Sequence, residues 1–320
     1  MNNPPRPLRP DTNLYIYYIE GVVPAQHPVV DESFIGNWVE DNFSFLFFTE
    51  PSKPLVLELL AQLPGRVLLD EYEMTYAQWQ GGTVEPVRIG RFLLNPTWIK
   101  ASAAQHEISI TLDSGVVFGN GSHTTTQACL EALDIVCAGI KPETVLDLGC
   151  GTGILALAAA KLGCKKILAI DYNYLAAQTA RINAGLNGLD ENIIVIHGKA
   201  EEHLTQPSDL LMANIHYEVM QEIVRAKGFS AHKTDTAWRC IFAPIKARLA
   251  SLCPKNGISA AATETNCLVL TSINCTLSLA IKVESFLYLQ GTNSSISLFL
   301  RSTLAFAGAI TKLPSSIADK

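Results

Sequence analysis

The residues best suited to chemistry form a glycine-rich turn at residues 145–153, which reads Val-Leu-Asp-Leu-Gly-Cys-Gly-Thr-Gly. The apolar run before the turn is typical of a buried strand, and the apolar spacing after it is typical of a helix. Gly149, Gly151 and Gly153 would let a ligand lie against bare peptide groups, beside the free N–H donors of the helix start. Because Ile154 replaces the glycine of a dinucleotide fingerprint, the turn favours a ligand with a carboxylate and an amine over one with a pyrophosphate.

Further polar residues are expected at the same edge of the sheet. Asp171 ends the next predicted strand, roughly 20 residues after the glycines, where an acid binds ribose hydroxyls. Asn214 follows the fourth apolar run, and ligands bind at the carboxyl ends of such strands. Asp147, inside the turn, is expected to support it through backbone N–H groups. A polar loop that contains Thr125 and Thr126 precedes the sheet and leads into a helix predicted at residues 127–136.

The elements that must position these residues alternate between strand and helix from about residue 97 to residue 224. This rhythm predicts an α/β fold with a doubly wound parallel sheet. The preceding region, residues 11–85, is rich in aromatics and is typical of a smaller α+β unit. Strands are predicted at residues 14–19, 45–48, 145–148, 166–170, 193–196 and 209–212, and helices at residues 54–63, 154–162 and 175–186.

Four motifs, in this order and spacing, resemble the PrmA family, the bacterial methyltransferases of ribosomal protein L-eleven. The family pattern is F-G-T-G-x-H-x-T-T, then D-x-G-x-G-x-G, then an acid, then A-N-[IL]. The resemblance covers residues 88–224, and residues 89–91 and 96–98 also look like the family's strand and P-x-W connector. Asn120 stands where the family has threonine. The matching residues are Phe118, Gly119, Gly121, His123, Thr125, Thr126, Asp147, Gly149, Gly151, Gly153, Asp171, Ala213 and Asn214.

The resemblance implies a Rossmann-like class I methyltransferase fold, with S-adenosylmethionine as the cofactor. It implies an enzyme that N-methylates lysine or α-amino groups of a ribosomal protein. Asn214 is the predicted catalytic residue, because its amide could hold the amine in line with the methyl group. The predicted cofactor-binding residues are Thr125, Thr126, Asp147, Gly149, Gly151, Gly153, Asp171 and Asn214.

The amino-acid composition limits the kinds of partner and ligand that we expect for this protein. The net charge of −6 and the pI near 5.7 argue against direct nucleic-acid binding, which needs a basic surface. The eight cysteines form no C-x-x-C pair and no zinc spacing, so no metal is predicted. Residues 1–10 contain four prolines and no apolar signal region, and residues 266–281 are too short and polar to span a membrane. We therefore expect a cytoplasmic monomer, with no membrane contact, whose partner is a ribosomal protein substrate.

The sequence predicts three regions: residues 1–87 for substrate recognition, residues 88–229 as the methyltransferase core, and residues 230–320 as a divergent or disrupted C-terminal segment. The last is rich in Ser, Thr, Ala and Cys and shows no strand like the family's next one. We expect it to be poorly ordered or irregularly packed, which would leave the strand before Asn214 at a sheet edge. Two alternatives stay open. One is a methyltransferase for nucleic acid or small molecules, because residues 214–217, Asn-Ile-His-Tyr, are similar to a stretch that amide and base methylases use. The other is an inactive binding module with a methyltransferase fold, which the C-terminal segment suggests.

Overall fold

The computed structural model describes residues 8–24, 29–82, 85–226, 239–242, 258–259, 268–273 and 276–278. Its helices are α1 (Lys53–Ala61), α2 (Tyr76–Trp79), α3 (Thr124–Ile140), α4 (Ile154–Lys161), α5 (Tyr174–Leu186) and α6 (Tyr217–Arg225). Its strands are β1 (Asn13–Glu20), β2 (Phe34–Glu40), β3 (Phe43–Phe48), β4 (Val67–Thr75), β5 (Val87–Ile89), β6 (Phe92–Pro96), β7 (Ile108–Leu112), β8 (Thr144–Leu148), β9 (Lys166–Asp171), β10 (Ile193–His197), β11 (Leu210–Ala213), β12 (Arg239–Phe242), β13 (Ile258–Ser259), β14 (Leu268–Ile273) and β15 (Thr276–Ser278).

The N-terminal sheet is antiparallel, with strand order β2-β3-β1-β4. Successive strand residues point to opposite faces, and both faces of this sheet carry large apolar side chains. On one face, Leu46 packs with residues of α1, and this side of the sheet is covered by that helix. On the other face, Leu14 and Phe47 pack with Val117 and Leu175 from the rest of the chain. The N-terminal sheet therefore shares a hydrophobic cluster with the region that carries the predicted site.

The main sheet has the strand order β10-β9-β8-β11-β12-β14-β15-β13. Strands β10, β9, β8, β11 and β12 run parallel, and β14 pairs with β12 in the antiparallel sense. Numbered from β8, the first four strands have the order 3-2-1-4 of a doubly wound sheet. The α/β fold class predicted from the alternating pattern is confirmed.

Helices cover both faces of this sheet, as double winding requires. Val145 of β8 packs with residues of α3 and α4, in a cluster that also includes Phe92 and Ile110 of the small β5-β6-β7 sheet. Leu146 and Leu148, on the opposite face of β8, pack with residues of α6. Strand β8 is thus buried on both sides, and only its carboxyl end can present a polar group to a ligand.

Several expectations need correction. Strands β2, β4 and β7 were not predicted from the sequence. Helix α3 begins at Thr124, three residues earlier than predicted. Strand β12 pairs with β11, so the strand before Asn214 is not at a sheet edge. The expectation that no strand follows in the C-terminal segment is therefore wrong at residues 239–242. Most of the segment, residues 230–320, lies outside the described residues, so the prediction of irregular packing there stays a prediction, as do the three regional boundaries.

Candidate active site

The glycine turn between β8 and α4 lies in tight contact with two neighbouring loops. Gly149 and Gly151 have φ angles of 67° and 54°, in the left-handed region that glycine adopts without steric cost. A Cβ at Gly151 would lie 2.6 Å from the carbonyl oxygen of Phe118, and a Cβ at Gly149 would overlap the side chain of Ile215. Larger residues are excluded from both positions, so bare backbone lies at the carboxyl end of β8.

Asp147 holds the turn to the helix that follows. Its side chain is only 1% exposed, and its Oδ2 accepts a hydrogen bond from the backbone N–H of Ala156, in the first turn of α4, at 3.1 Å. Burial raises the pKa of Asp147 to about 7, although the Ala156 N–H favours the charged form. Asp147 therefore stabilises the junction between the turn and α4, whose N-cap residue is Gly153.

Asp171, at the end of β9, is bonded directly to the glycine turn. Its Oδ2 accepts a hydrogen bond from Gly151 N at 2.8 Å, and its Oδ1 accepts one from Asn173 N at 2.8 Å. Burial raises the pKa of this carboxyl, and the two N–H donors oppose the shift. The structure thus brings together the acid and the glycines that the sequence predicted to share one edge of the sheet.

Asn214 and Thr126 meet although they lie 88 residues apart. Asn214 follows β11, and its Nδ2 donates to Oγ1 of the fully buried Thr126 at 3.0 Å. Thr125 makes a different contact, since its Oγ1 lies 2.7 Å from Nδ1 of His123, the N-cap residue of α3. Of the two predicted threonines, Thr126 therefore contacts the Asn214 side chain, and Thr125 contacts the helix cap.

Two residues that hold the turn in place were not predicted from the sequence. Thr152 donates from Oγ1 to the carbonyl oxygen of Gly119 at 2.8 Å. Asn183 of α5 is fully buried, and its Nδ2 donates to the carbonyl oxygens of Thr152 and Asp113 at 2.9 and 2.8 Å. A signal for Asn183 was present, because a polar residue stands there on the buried face of an apolar helix pattern and must find hydrogen-bond partners.

Two properties of the described part of the chain concern the predictions about metal ions and membranes. Among those residues, no group of three or more His, Cys, Asp and Glu side chains is placed to hold a metal ion. Within the same residues, no helix combines the length and apolar character needed to cross a membrane.

Together, the parallel sheet, the glycine turn after β8 and the acid after β9 define a Rossmann-like class I methyltransferase fold. Residues 70–239 match the family model described as "Ribosomal protein L11 methyltransferase (PrmA)". The chain belongs to this family, and the resemblance drawn from the four motifs is confirmed.

Individual relatives agree with the family match. A ribosomal protein L11 methyltransferase of Clostridium botulinum is 41% identical over 130 residues, which are 41% of each chain. One of Halalkalibacterium halodurans is 33% identical over 220 residues, or 68% of this chain and 66% of the relative. The crystal structure of a ribosomal protein L11 methylase from Lactobacillus delbrueckii is similar with a TM-score of 0.50 and 28% identity, over 61% of this chain and 98% of that one. The chain thus spans about two fifths to two thirds of these curated relatives.

Proposed function

We propose that this chain binds S-adenosylmethionine at the carboxyl edge of the main sheet and transfers its methyl group to an amine of a protein. The observation that carries the proposal is the bond between the Asp171 carboxylate and the Gly151 N–H. Because of this bond, an acid that can bind ribose hydroxyls lies beside bare backbone at the start of α4. The N–H groups of a helix start stabilise a ligand carboxylate. The relatives' names point to ribosomal protein L11 as the protein substrate.

The residues present fit the cofactor. Each oxygen of Asp171 has already accepted one backbone N–H, and a carboxylate oxygen has a second lone pair for a ribose hydroxyl. Gly149 and Gly151 keep the turn free of side chains, so Ile215 and Phe118 lie directly against it and its backbone groups stay available to a ligand. Gly153 leaves the start of α4 without a side chain, and Asp147 holds that helix start in place. The cofactor supplies a methyl group on a sulfonium, which needs no metal for its transfer.

Asn214 is the proposed catalytic residue. Because its Nδ2 donates to Thr126, the amide is oriented with Oδ1 as the acceptor for an N–H of the substrate amine. Such a bond would hold the amine nitrogen in line with the methyl carbon, and proximity of this kind lowers the barrier to a two-reactant step. A lysine amine, with an ordinary pKa near 10.4, must lose a proton before attack, and a partly desolvated site favours the neutral form. Water accepts that proton.

Binding of the cofactor is tested with Asp171→Ala in isothermal titration calorimetry. The variant loses one or two charge-assisted hydrogen bonds, each worth about 1.5–3 kcal/mol, so we expect S-adenosylmethionine to bind at least about tenfold more weakly. Asp190→Ala, which removes an exposed carboxylate beyond α5, is the matched control and should bind as the wild type does. Equal affinity in wild type and Asp171→Ala would remove Asp171 from the cofactor site.

Transfer is tested by offering the chain labelled S-adenosylmethionine together with ribosomal protein L11 and ribosomal RNA. We expect the label on lysine or α-amino nitrogen of the protein. Asn214→Ala should lose transfer even at saturating S-adenosylmethionine, by more than any loss of cofactor affinity explains. Label in RNA alone would favour the alternative substrate class. Cofactor binding without transfer to either would favour an inactive binding module.

A further inference from the structure

The N-terminal region touches the predicted cofactor site through a side-chain amide pair. Gln80, directly after α2, accepts a hydrogen bond at Oε1 from Nδ2 of Asn120 at 2.8 Å. The same Gln80 donates from Nε2 to the carbonyl oxygen of Gly115 at 2.8 Å. Both side chains are partly buried, so water competes for these bonds less than at an exposed site. One glutamine thus bonds to two points of the loop that precedes α3.

That loop in turn contacts the glycine turn. The carbonyl oxygens of Phe118 and Gly119 accept from N and Oγ1 of Thr152, at 3.2 and 2.8 Å. Asn120 also shapes the loop, since its Oδ1 accepts from N and Oγ of Ser122 at 2.9 and 2.6 Å. A displacement of Asn120 would therefore reach the backbone against which the cofactor is proposed to lie.

A second contact joins the same two regions on the other side of the site. Asn173 donates from Nδ2 to the carbonyl oxygen of Val39, in β2, at 3.1 Å. Its backbone N–H donates to Asp171, and its Oδ1 accepts from the first N–H groups of α5. The N-terminal region is therefore bonded both to the loop before α3, through Gln80, and to the loop that presents Asp171, through Val39 of β2.

We propose that Gln80 and Asn120 are positioning residues that couple the N-terminal region to the cofactor site, so that cofactor affinity depends on the contact between them. The inference rests on the proposed function, because it assigns the cofactor to this edge of the sheet. Threonine, the residue of the family pattern at position 120, has one polar atom. A hydroxyl can donate and accept, but only from a single point, whereas Asn120 donates to Gln80 from Nδ2 and accepts from Ser122 at Oδ1.

Coupling of this kind is reciprocal. If the N-terminal region receives the protein substrate, docking that stabilises the Gln80–Asn120 contact favours cofactor binding, and cofactor binding favours docking by the same factor. Gln80 and Asn120 contact no reacting atom in this proposal. They act through the backbone of residues 118–122.

The first test uses hydrogen exchange on the ligand-free protein, which needs no cofactor. Gln80→Ala removes both bonds to the loop, and Asn120→Asp keeps the acceptor for Ser122 but replaces the donor to Gln80. We expect amides of residues 118–122 and of Thr152 to exchange about 3- to 10-fold faster in both variants, as the loss of a net hydrogen bond predicts. Gln62→Ala, an exposed glutamine after α1, should leave these rates unchanged. Wild-type rates in Asn120→Asp would overturn the proposal, and this milder variant decides even where Gln80→Ala does not fold.

The second test measures S-adenosylmethionine affinity by calorimetry for the wild type, both single variants and the double variant. We expect each single variant to bind about 3- to 10-fold more weakly and the double variant to be no worse than the weaker single one. Both changes break the Gln80–Asn120 bond, and Gln80→Ala also removes the bond to Gly115. Unchanged affinities, or losses that add, would overturn the coupling. A wild-type chain that binds no S-adenosylmethionine would refute the proposed function instead, while the exchange rates would still decide whether Gln80 positions the loop.

Discussion

The two large sheets of this molecule place the same residue types in opposite environments. Strand β4 is at the edge of the N-terminal antiparallel sheet, and its Asp70, Glu71 and Glu73 are exposed. Strand β8 lies inside the parallel sheet, and its Asp147 is 1% exposed and bonded to backbone. An antiparallel edge strand can carry charge along its length, because solvent reaches it there. A central parallel strand is covered on both faces.

This difference explains where chemistry can arise. In a parallel sheet covered by helices, polar groups find partners mainly at strand ends, where helix starts and loops supply N–H donors. Asp171 follows this rule at the end of β9, and Asn214 follows it after β11. The N-terminal region instead contributes packing, and polar contacts through Gln80 and Val39, from outside the site. Three experiments test this difference between the two sheets.

The largest effect is expected from a pair of leucine truncations in the N-terminal sheet. Leu14 and Leu46 are both fully buried, but Leu14 packs toward Val117 and Leu175, whereas Leu46 packs with α1. Each Leu→Ala change should lower the free energy of unfolding by about 2–5 kcal/mol, measured with urea. Only Leu14→Ala should also speed hydrogen exchange at residues 116–122. Equal exchange there in the two variants would mean that the sheets are energetically separate.

The next effect concerns the glycine turn of the parallel sheet. Gly151→Ala places a Cβ at 2.6 Å from a backbone carbonyl, at φ 54°. Gly188→Ala has φ 64° and open space around it, so it isolates the backbone strain of about 1–2 kcal/mol that both variants share. We expect Gly151→Ala to lose at least a further factor of about ten in S-adenosylmethionine affinity, about 1.4 kcal/mol, by calorimetry. Similar affinities in the two variants would show that the turn tolerates a side chain.

The third effect is a pH dependence of stability that comes from a single buried carboxyl. The pKa of Asp147 is raised to about 7, so the folded state binds a proton that the unfolded state releases above its ordinary pKa near 3.8. The stabilisation is complete below pH 4 and is lost as pH rises through 7. From pH 5 to pH 8, the wild type should lose about 3 kcal/mol relative to Asp147→Asn, which keeps an acceptor for Ala156. Parallel urea-derived stability curves for the two proteins would contradict the raised pKa.

Strand patterns in the sequence were recognised where the apolar run is continuous and were missed where it is interrupted or very short. The strands β8, β9 and β10 were found within a residue at each end, because their apolar runs are continuous. Strand β4 was missed, since its exposed residues Val-Leu-Leu-Asp-Glu-Tyr-Glu show no strict alternation. Strand β12 was missed because four residues, Arg-Cys-Ile-Phe, carry too little pattern. A continuous apolar run leaves a signal in the sequence even at a sheet edge, as in β10, whereas an interrupted or very short run leaves little.

Sequence alone predicted the glycine turn, the acid after the second strand and the amide after the fourth, because each depends on residue type within one strand and its following loop. It also predicted the doubly wound class, because strand and helix patterns alternate along the chain. Tertiary structure alone decided that Asp171 bonds to Gly151, that Asn214 bonds to Thr126, and that Gln80 reaches Asn120. These partners are 20, 88 and 40 residues apart in the chain. Local periodicity reports how one segment turns its side chains, whereas the distance between two segments depends on how the whole core packs.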